Sequence, residues 1–343
     1  MTVSVTTVGR SALRVIALFF CLSVGASAAC PKVLMFDGVN IRTQNDADQA
    51  RYWGERVGVQ GFFLNNVMAY WQQDVGASPA SSVWQQAKQF QNTYAKYGVE
   101  DNFVKVAIWR PHDWRSVERN AAVVSHFAHA AALAKYAGFK GVALDFEPYV
   151  PIWGGEAGGP ERAATVQAEG EAIARAMYQA YPGMTLVLIQ DALYSADRGQ
   201  GKNGGYGLSV PFLRGLFSVP WSRLVIAIEQ TYNGKWISLF TAQALKRYTT
   251  FIRQNNLPPR HISVAPGLWP LGKTYQDKSA RVTASEFAQN LHDAMSNTTG
   301  YVWIYGHGSA WQTDGPYGKG PAVPNLSDYT RAVLQAEHVC APH

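Results

Sequence analysis

The sequence predicts an α/β chain that closes into a single (β/α)8 TIM-type barrel. Three observations predict it. Eight short apolar or β-branched runs recur along the chain. Amphipathic stretches of helical spacing separate most of them. No Pro/Ser linker or low-complexity block divides the roughly 310 residues that follow an N-terminal leader, a length that barrels occupy as one domain.

The strand candidates are Val33–Phe36, Gly58–Leu64, Val104–Trp109, Gly141–Phe146, Thr185–Ile189, Leu224–Ile228, Ile262–Ala265 and Tyr301–Tyr305. Helical stretches are expected at Ala47–Val57, Ser116–Ala137, Arg162–Ala180, Thr241–Gln254, Ala284–Asn297 and Ser327–His338. Eight strands with intervening helices match the (β/α)8 count. A doubly wound open sheet would carry a Gly-rich phosphate loop after its first strand. Here that strand runs into Phe36-Asp37-Gly38-Val39-Asn40, with neither GxGxxG nor a Walker sequence.

Residues 1–28 read as a secretory signal peptide. Arg10 and Arg14 precede the apolar run Val15–Val24, and Ala26-Ser27-Ala28 supplies the small-residue cleavage site. The run is shorter than the roughly 20 residues needed to span a bilayer. A lipoprotein signal would use Cys30, but the box lacks the apolar residue three places before it. The barrel, and with it the catalytic domain, is expected over 29–343. The expected location is secreted or periplasmic, with no membrane insertion after cleavage. Of three cysteines, Cys21 leaves with the leader. Cys30 and Cys340, at the two ends of the mature chain, are expected to form a disulfide in an oxidising compartment. Closing so long a loop stabilises by about 4 kcal/mol in the loop-entropy model.

Composition narrows the function. The formal charge of +6 falls to +4 without the two leader arginines. This is a weak pull toward anionic partners. There is no long Lys/Arg run, so no nucleic-acid partner is expected. Eleven Trp and seventeen Tyr suit a protein that holds sugars against flat rings. HExxH, paired-cysteine and EF-hand patterns are absent from the sequence, and so is a GxSxG elbow. No catalytic metal and no cofactor are expected, and the chain reads as a monomer.

Barrel chemistry sits at the C-terminal ends of the strands. Reading each strand end gives Asp37 and Asn40; Asn65 and Asn66; Trp109, Arg110, His112 and Trp114; Asp145, Glu147 and Tyr149; Gln190 and Asp191; Glu229, Gln230 and Tyr232; Trp269; then Trp303, Tyr305, His307 and Trp311. Side chains two apart on a strand share a face. Gly141, Ala143, Asp145 and Glu147 therefore form one row, small low down and acidic at the top. Val225, Ala227 and Glu229 form a similar row two strands on. Carboxyl groups brought together raise at least one pKa, and a protonated one can donate to a glycosidic oxygen. Glu147, Glu229 and Asp145 are the catalytic candidates. Asp37, Trp109, Gln190, Asp191, Tyr232, Trp269, Trp303, His307 and Trp311 are the substrate-binding candidates.

The segment Phe139-Lys140-Gly141-Val142-Ala143-Leu144-Asp145-Phe146-Glu147 resembles the strand 4 signature of family 18 glycoside hydrolases, roughly FDGxDxDxE. The last Asp and the Glu match as Asp145 and Glu147. Lys140 and Ala143 stand where the earlier acids would be. Gln230-Thr231-Tyr232-Asn233 is similar to that family's Met-x-Tyr-Asp on strand 6, and Trp303 resembles its floor tryptophan. The resemblance implies that Glu147 is the acid, that Asp145 orients an acetamido group and that Tyr232 assists. It also implies that Tyr232 faces inward, in which case Glu229 would face away unless the strand bends there.

The expectation is an exported glycoside hydrolase acting on a polysaccharide or oligosaccharide. Glu147 is the expected general acid, and Glu229 acts as nucleophile or base, or else the substrate's own acetamido group attacks. Two alternatives stay open: a carbohydrate-binding barrel without catalysis, and a polysaccharide lyase or deacetylase on the same fold. The export reading predicts that protein recovered outside the cytoplasm begins at Ala29, within one residue. Intact mass should also be two hydrogens short of the reduced chain, and a mass spectrum with and without reductant checks both.

Overall fold

The computed structural model describes residues 30–36, 39–108, 112–147, 160–198, 206–259, 261–271, 281–306, 311 and 325–339. The leader lies outside them, as do Asp37, Trp109, His307 and Cys340. The expected Cys30–Cys340 disulfide thus has one end beyond the described residues.

Eight parallel strands close into a barrel in sequence order. They are β1 Lys32–Phe36, β2 Gly61–Leu64, β3 Phe103–Ala107, β4 Gly141–Asp145, β5 Thr185–Ile189, β6 Arg223–Ile228, β7 Ile262–Leu268 and β8 Tyr301–Tyr305. Closure is made by β1 against β8, from Lys32 opposite Tyr301 to Phe36 opposite Tyr305. The helices are α1 Ala47–Arg51, α2 Ser82–Tyr94, α3 Val117–Ala137, α4 Pro160–Ala180, α5 Ala192–Asp197, α6 Ser209–Leu216, α7 Ile237–Gln254, α8 Ala284–Ser296 and α9 Leu326–Val339. None among the described residues is long and apolar enough to cross a membrane.

Each expected strand is present: β5 and β8 have the expected ends, and the others shift at an end by one to three residues. The expected helix Ala47–Val57 widens after Arg51 into a π turn, Tyr52–Val57, and stops at Gly58 in the left-handed conformation. Helix α2 was not anticipated. Its apolar positions Trp84, Ala87, Phe90 and Tyr94 are spaced for one helical face and all are buried, but glutamines between them dilute the pattern.

Two apolar layers result. One lies between sheet and helices. The other fills the barrel, and it is lopsided. Phe36, Phe63, Phe103, Tyr301 and Trp303 crowd in from β1, β2, β3 and β8, while β4, β6 and β7 contribute Ala143, Ala227 and Ala265. The base is closed by polar groups. Asp101 accepts from the Tyr301 hydroxyl at 2.8 Å and from Lys32 Nζ at 2.9 Å. Alternation places Lys105 and Ala107 inward with Phe103, and Asp145 inward with Ala143.

Close strand packing on the β4 side depends on Gly141, where a Cβ would lie 2.0 Å from the Thr185 carbonyl oxygen of β5. Neither backbone can yield without breaking the ladder between β4 and β5. Gly141→Ala should therefore destabilise by about 3 kcal/mol, the upper end of overpacking costs. A urea unfolding series would show a lowered midpoint with an unchanged slope.

Candidate active site

A cavity of about 410 Å³ opens at the C-terminal end of the strands, lined among the described residues by Asp145, Glu147, Glu229, Lys105, Asn65, Tyr232, Trp303, Tyr305 and Phe36, with Ala107 and Ile189. The volume is in the range of small-molecule sites. The small interior residues on β4 and β6 leave room for the acids above them. The large rings opposite form the floor and far wall.

Strand β4 delivers Asp145 and Glu147 two residues apart on its inward row. Asp145 is buried and its Oδ2 sits 2.9 Å from Lys105 Nζ. Lys105 comes from β3, directly opposite Ala143 in register. Its ammonium also lies 5.0 Å from the centre of the Phe36 ring. The other Asp145 oxygen, Oδ1, is buried without a hydrogen-bond partner among the described residues.

Strand β6 ends at Ile228, and the chain then turns. The Tyr232 N–H donates to the Glu229 carbonyl at 3.0 Å, so strand alternation no longer applies. Thr231 fixes the turn from outside, its hydroxyl donating to the Gly267 carbonyl at 2.8 Å and accepting from the Gly267 N–H at 2.9 Å. Glu229 and Tyr232, three residues apart, both line the cavity. The Tyr232 hydroxyl donates to Glu229 Oε1 at 2.9 Å. The bend removes the conflict between the two readings of this segment.

The electrostatics separate the acids. Burial pushes the Glu229 carboxyl up to about 8; the negative charges of Glu147 and Asp145 push the same way, and the Tyr232 hydrogen bond opposes them. Tyr232 is raised well above the ordinary phenol value by its own burial and by Glu229. Tyr206, which follows β5, is raised by burial, and the charges of Glu147, Glu229 and Asp145 also reach it. No group of three or more His, Cys, Asp or Glu among the described residues is arranged to hold a metal ion. Among the described residues that line the cavity, the positive charge is that of Lys105.

Aromatic side chains complete the walls. Trp303 is fully buried with its indole N–H unpartnered among the described residues. Gly267 makes room for it, since a Cβ there would lie 2.6 Å from the indole ring. Tyr232 packs against Trp303 with centroids 5.3 Å apart, and Trp269 packs edge-on against Tyr305 at 4.9 Å. Trp269 is half-buried and stands just behind the lining residues.

The remaining sequence-predicted residues divide. Gln190 follows β5 with a left-handed backbone, φ 75°, and its Oε1 accepts from the Tyr206 hydroxyl at 2.6 Å. Asp191 turns away from the cavity. It caps α5 through the Tyr194 N–H at 3.0 Å and pairs with Arg247, so its carboxylate is committed to structure. Trp311 is also misplaced as a mouth residue. It is buried against Phe287 of α8, and its carbonyl accepts from the Tyr52 hydroxyl. His112 is buried against Trp71 and Trp114, with Nε2 2.7 Å from Asn120 Oδ1, and lines a separate pocket. Asp37, Trp109 and His307 lie outside the described residues. Sequence reading missed Lys105, Phe36 and Tyr206. Lys105 carried a signal, because it is a lone charge within an apolar strand on the inward parity of Phe103.

No family model matches the sequence, and no curated protein does. Solved structures do match. The second active domain of a thermostable chitinase from Pyrococcus furiosus, crystallised as catalytic-site mutants with chito-oligosaccharides, superposes with a TM-score of 0.51 at 10% identity, over 92% of this chain and 98% of that one. A putative xylose isomerase from Rhodospirillum rubrum superposes with the same TM-score of 0.51 at 12% identity, over 91% of this chain and 100% of that one. These likenesses establish the fold. They span different chemistries, so the site itself has to carry the function.

The raised Glu229 pKa has a consequence for stability. The folded protein holds this proton up to about pH 8, whereas the unfolded chain releases it near 4.5. Stabilisation from this group is complete below pH 4.5 and is lost as the pH rises toward 8. The slope should approach about 1 kcal/mol per pH unit across that window. Glu229→Gln should abolish this component and be the more stable protein at pH 8, as checked by melting curves across pH.

Proposed function

We propose that this protein is an exported glycoside hydrolase in which Glu229 is the general acid and Glu147 is the carboxylate that acts as base or nucleophile. The observation carrying the proposal is that both carboxyl groups line one ring-walled cavity of about 410 Å³, with burial holding the proton on Glu229. Proton transfer to a leaving oxygen needs an acid that is still protonated at working pH. The displacement or water activation that follows needs a second carboxyl that is ionised. Lys105 neutralises Asp145, which leaves Glu147 and Glu229 to divide these roles. This is the reverse of the assignment implied by the family 18 resemblance, in which Glu147 is the acid.

Tyr232 fits both halves of the cycle. Its hydroxyl donates to Glu229 Oε1, leaving the other oxygen to carry and deliver the proton. When that proton has gone, the same hydrogen bond stabilises the new carboxylate. Trp303, Tyr305 and Phe36 supply flat apolar walls suited to sugar faces, and Asn65 adds a polar group at the rim. The signal peptide reading places the enzyme outside the cytoplasm, where polymeric glycans are met.

Release of reducing ends from a panel of polysaccharides tests the proposal. Glu147→Gln and Glu229→Gln should each lower kcat by about a thousandfold or more, since each removes one half of the acid–base pair. The wild-type rate should fall on the alkaline side near pH 8, where Glu229 loses its proton. A panel without turnover, or an unaltered rate in either variant, defeats the reading.

A further inference from the structure

We infer that Thr231 is a positioning residue of this site: its hydroxyl, clamped on Gly267 of β7, aims Tyr232 at Glu229 and so maintains the hydrogen bond between them. This deepens the glycoside reading, on which it rests, by naming what aims the partner of its acid.

The clamp stands where the sheet breaks off. The paired register of β6 and β7 runs from Leu224 opposite Ile262 to Ile228 opposite Pro266. β6 ends there, and the next residue of β7, Gly267, meets a side chain instead of a strand. Thr231 Oγ1 accepts from the Gly267 N–H at 2.9 Å and donates to the Gly267 carbonyl at 2.8 Å. One hydroxyl thus satisfies both backbone groups of one residue. Thr231 is fully buried. Its β-branched side chain is stiff about χ1, so the two bonds fix the backbone of residue 231 along with the hydroxyl.

That anchor directly precedes Tyr232 and lies two residues after Glu229. The turn closes on itself through the Tyr232 N–H to the Glu229 carbonyl at 3.0 Å and the Gly234 N–H to the Thr231 carbonyl at 2.8 Å. The Tyr232 carbonyl accepts from the Trp269 N–H at 3.0 Å, just past the end of β7. Held in this way, the Tyr232 ring stands 5.3 Å from Trp303 and its hydroxyl reaches Glu229 Oε1 at 2.9 Å. Trp303 lies opposite Gly267 in the β7–β8 register and takes the place of a Gly267 side chain. The same glycine therefore receives the Thr231 clamp and makes room for the floor indole. A misplacement of about 1 Å can cost about a hundredfold in rate. A buried clamp one residue from Tyr232 thus bears on chemistry as well as on folding.

The groups around the Glu229 carboxyl make the role measurable. Among the described residues, Glu147 and Asp145 face it from the β4 side, with Lys105 of β3 held on Asp145, and Tyr232 faces it from its own turn. Tyr206 after β5 and Tyr305 of β8 are the other titratable neighbours of this group of side chains. Burial and the two β4 acids raise the Glu229 pKa, and the Tyr232 hydrogen bond opposes them. Loss of that bond alone therefore raises the pKa further, whereas a loosened mouth that admits water lowers it.

Carbon-13 NMR of protein labelled at the glutamate carboxyls, with Glu229→Gln to assign the signal, follows this titration without any substrate. The wild-type group should titrate near pH 8. Tyr232→Phe should move it upward and so set the scale. Thr231→Val keeps the shape but leaves the Gly267 N–H and carbonyl unpaired, so its melting temperature should fall. Its Glu229 should nevertheless titrate higher, by at least about half the Tyr232→Phe shift. Thr231→Ser keeps the hydroxyl and should titrate as wild type. On whichever glycan is hydrolysed, Thr231→Val should lower kcat at least about tenfold and change KM less than about threefold. In the Tyr232→Phe background the same substitution should cost less than about threefold, because the contact it maintains has already gone. A Glu229 titration that fails to rise in Tyr232→Phe or Thr231→Val, or a serine variant shifted as far as Tyr232→Phe, overturns the inference. The serine result decides it even where the valine protein does not fold. A glycan panel without turnover defeats the glycoside reading instead, and the titration still decides the role of Thr231.

Discussion

The mouth of this barrel is governed by the cost of placing three carboxyl groups in a small, ring-walled space. Charges removed from water must be paired, neutralised or hydrogen-bonded. The structure uses a different device for each acid. Asp145 is paired with Lys105 across the β3–β4 ladder. Burial raises the Glu229 pKa to about 8, and its carboxyl accepts a hydrogen bond from Tyr232. Glu147 lines the same cavity beside them. The site's acid–base asymmetry follows from these unequal solutions.

The barrel makes this possible through unequal filling. Five large rings from β1, β2, β3 and β8 occupy the interior, and alanines face them from β4, β6 and β7. Carboxylates therefore rise on the spacious side and meet an aromatic wall across the cavity. Gly267 extends the principle, since the floor indole of Trp303 occupies the space where a side chain on β7 would lie. The same packing that completes the core thus shapes the site.

Much of the fold was legible because strand parity is local. The rows ending in Asp145 and Glu229 follow from an alternation that any extended chain obeys. Lys105 was equally legible, as a lone charge of inward parity, although it lies within β3 and not at its end. Asp191 shows the opposite failure. It occupies a strand end as a catalytic acid would, yet capping α5 and pairing with Arg247 consume its oxygens. Trp311 was expected in the mouth because it follows β8, but packing against α8 buries it away from the cavity. Position after a strand says where a residue begins, and competition among neighbours decides where its side chain ends.

Spacing along the chain is enough to place the eight strands, the inward rows and the carboxyl-bearing positions at the strand ends. Only contacts across the barrel put Glu229 and Tyr232 on one side, commit Lys105 to Asp145, and raise the Glu229 pKa. Those facts depend on a turn fixed by Thr231 against β7, on the register of two strands, and on burial. All three are properties of segments brought together across the barrel, and no local pattern encodes them.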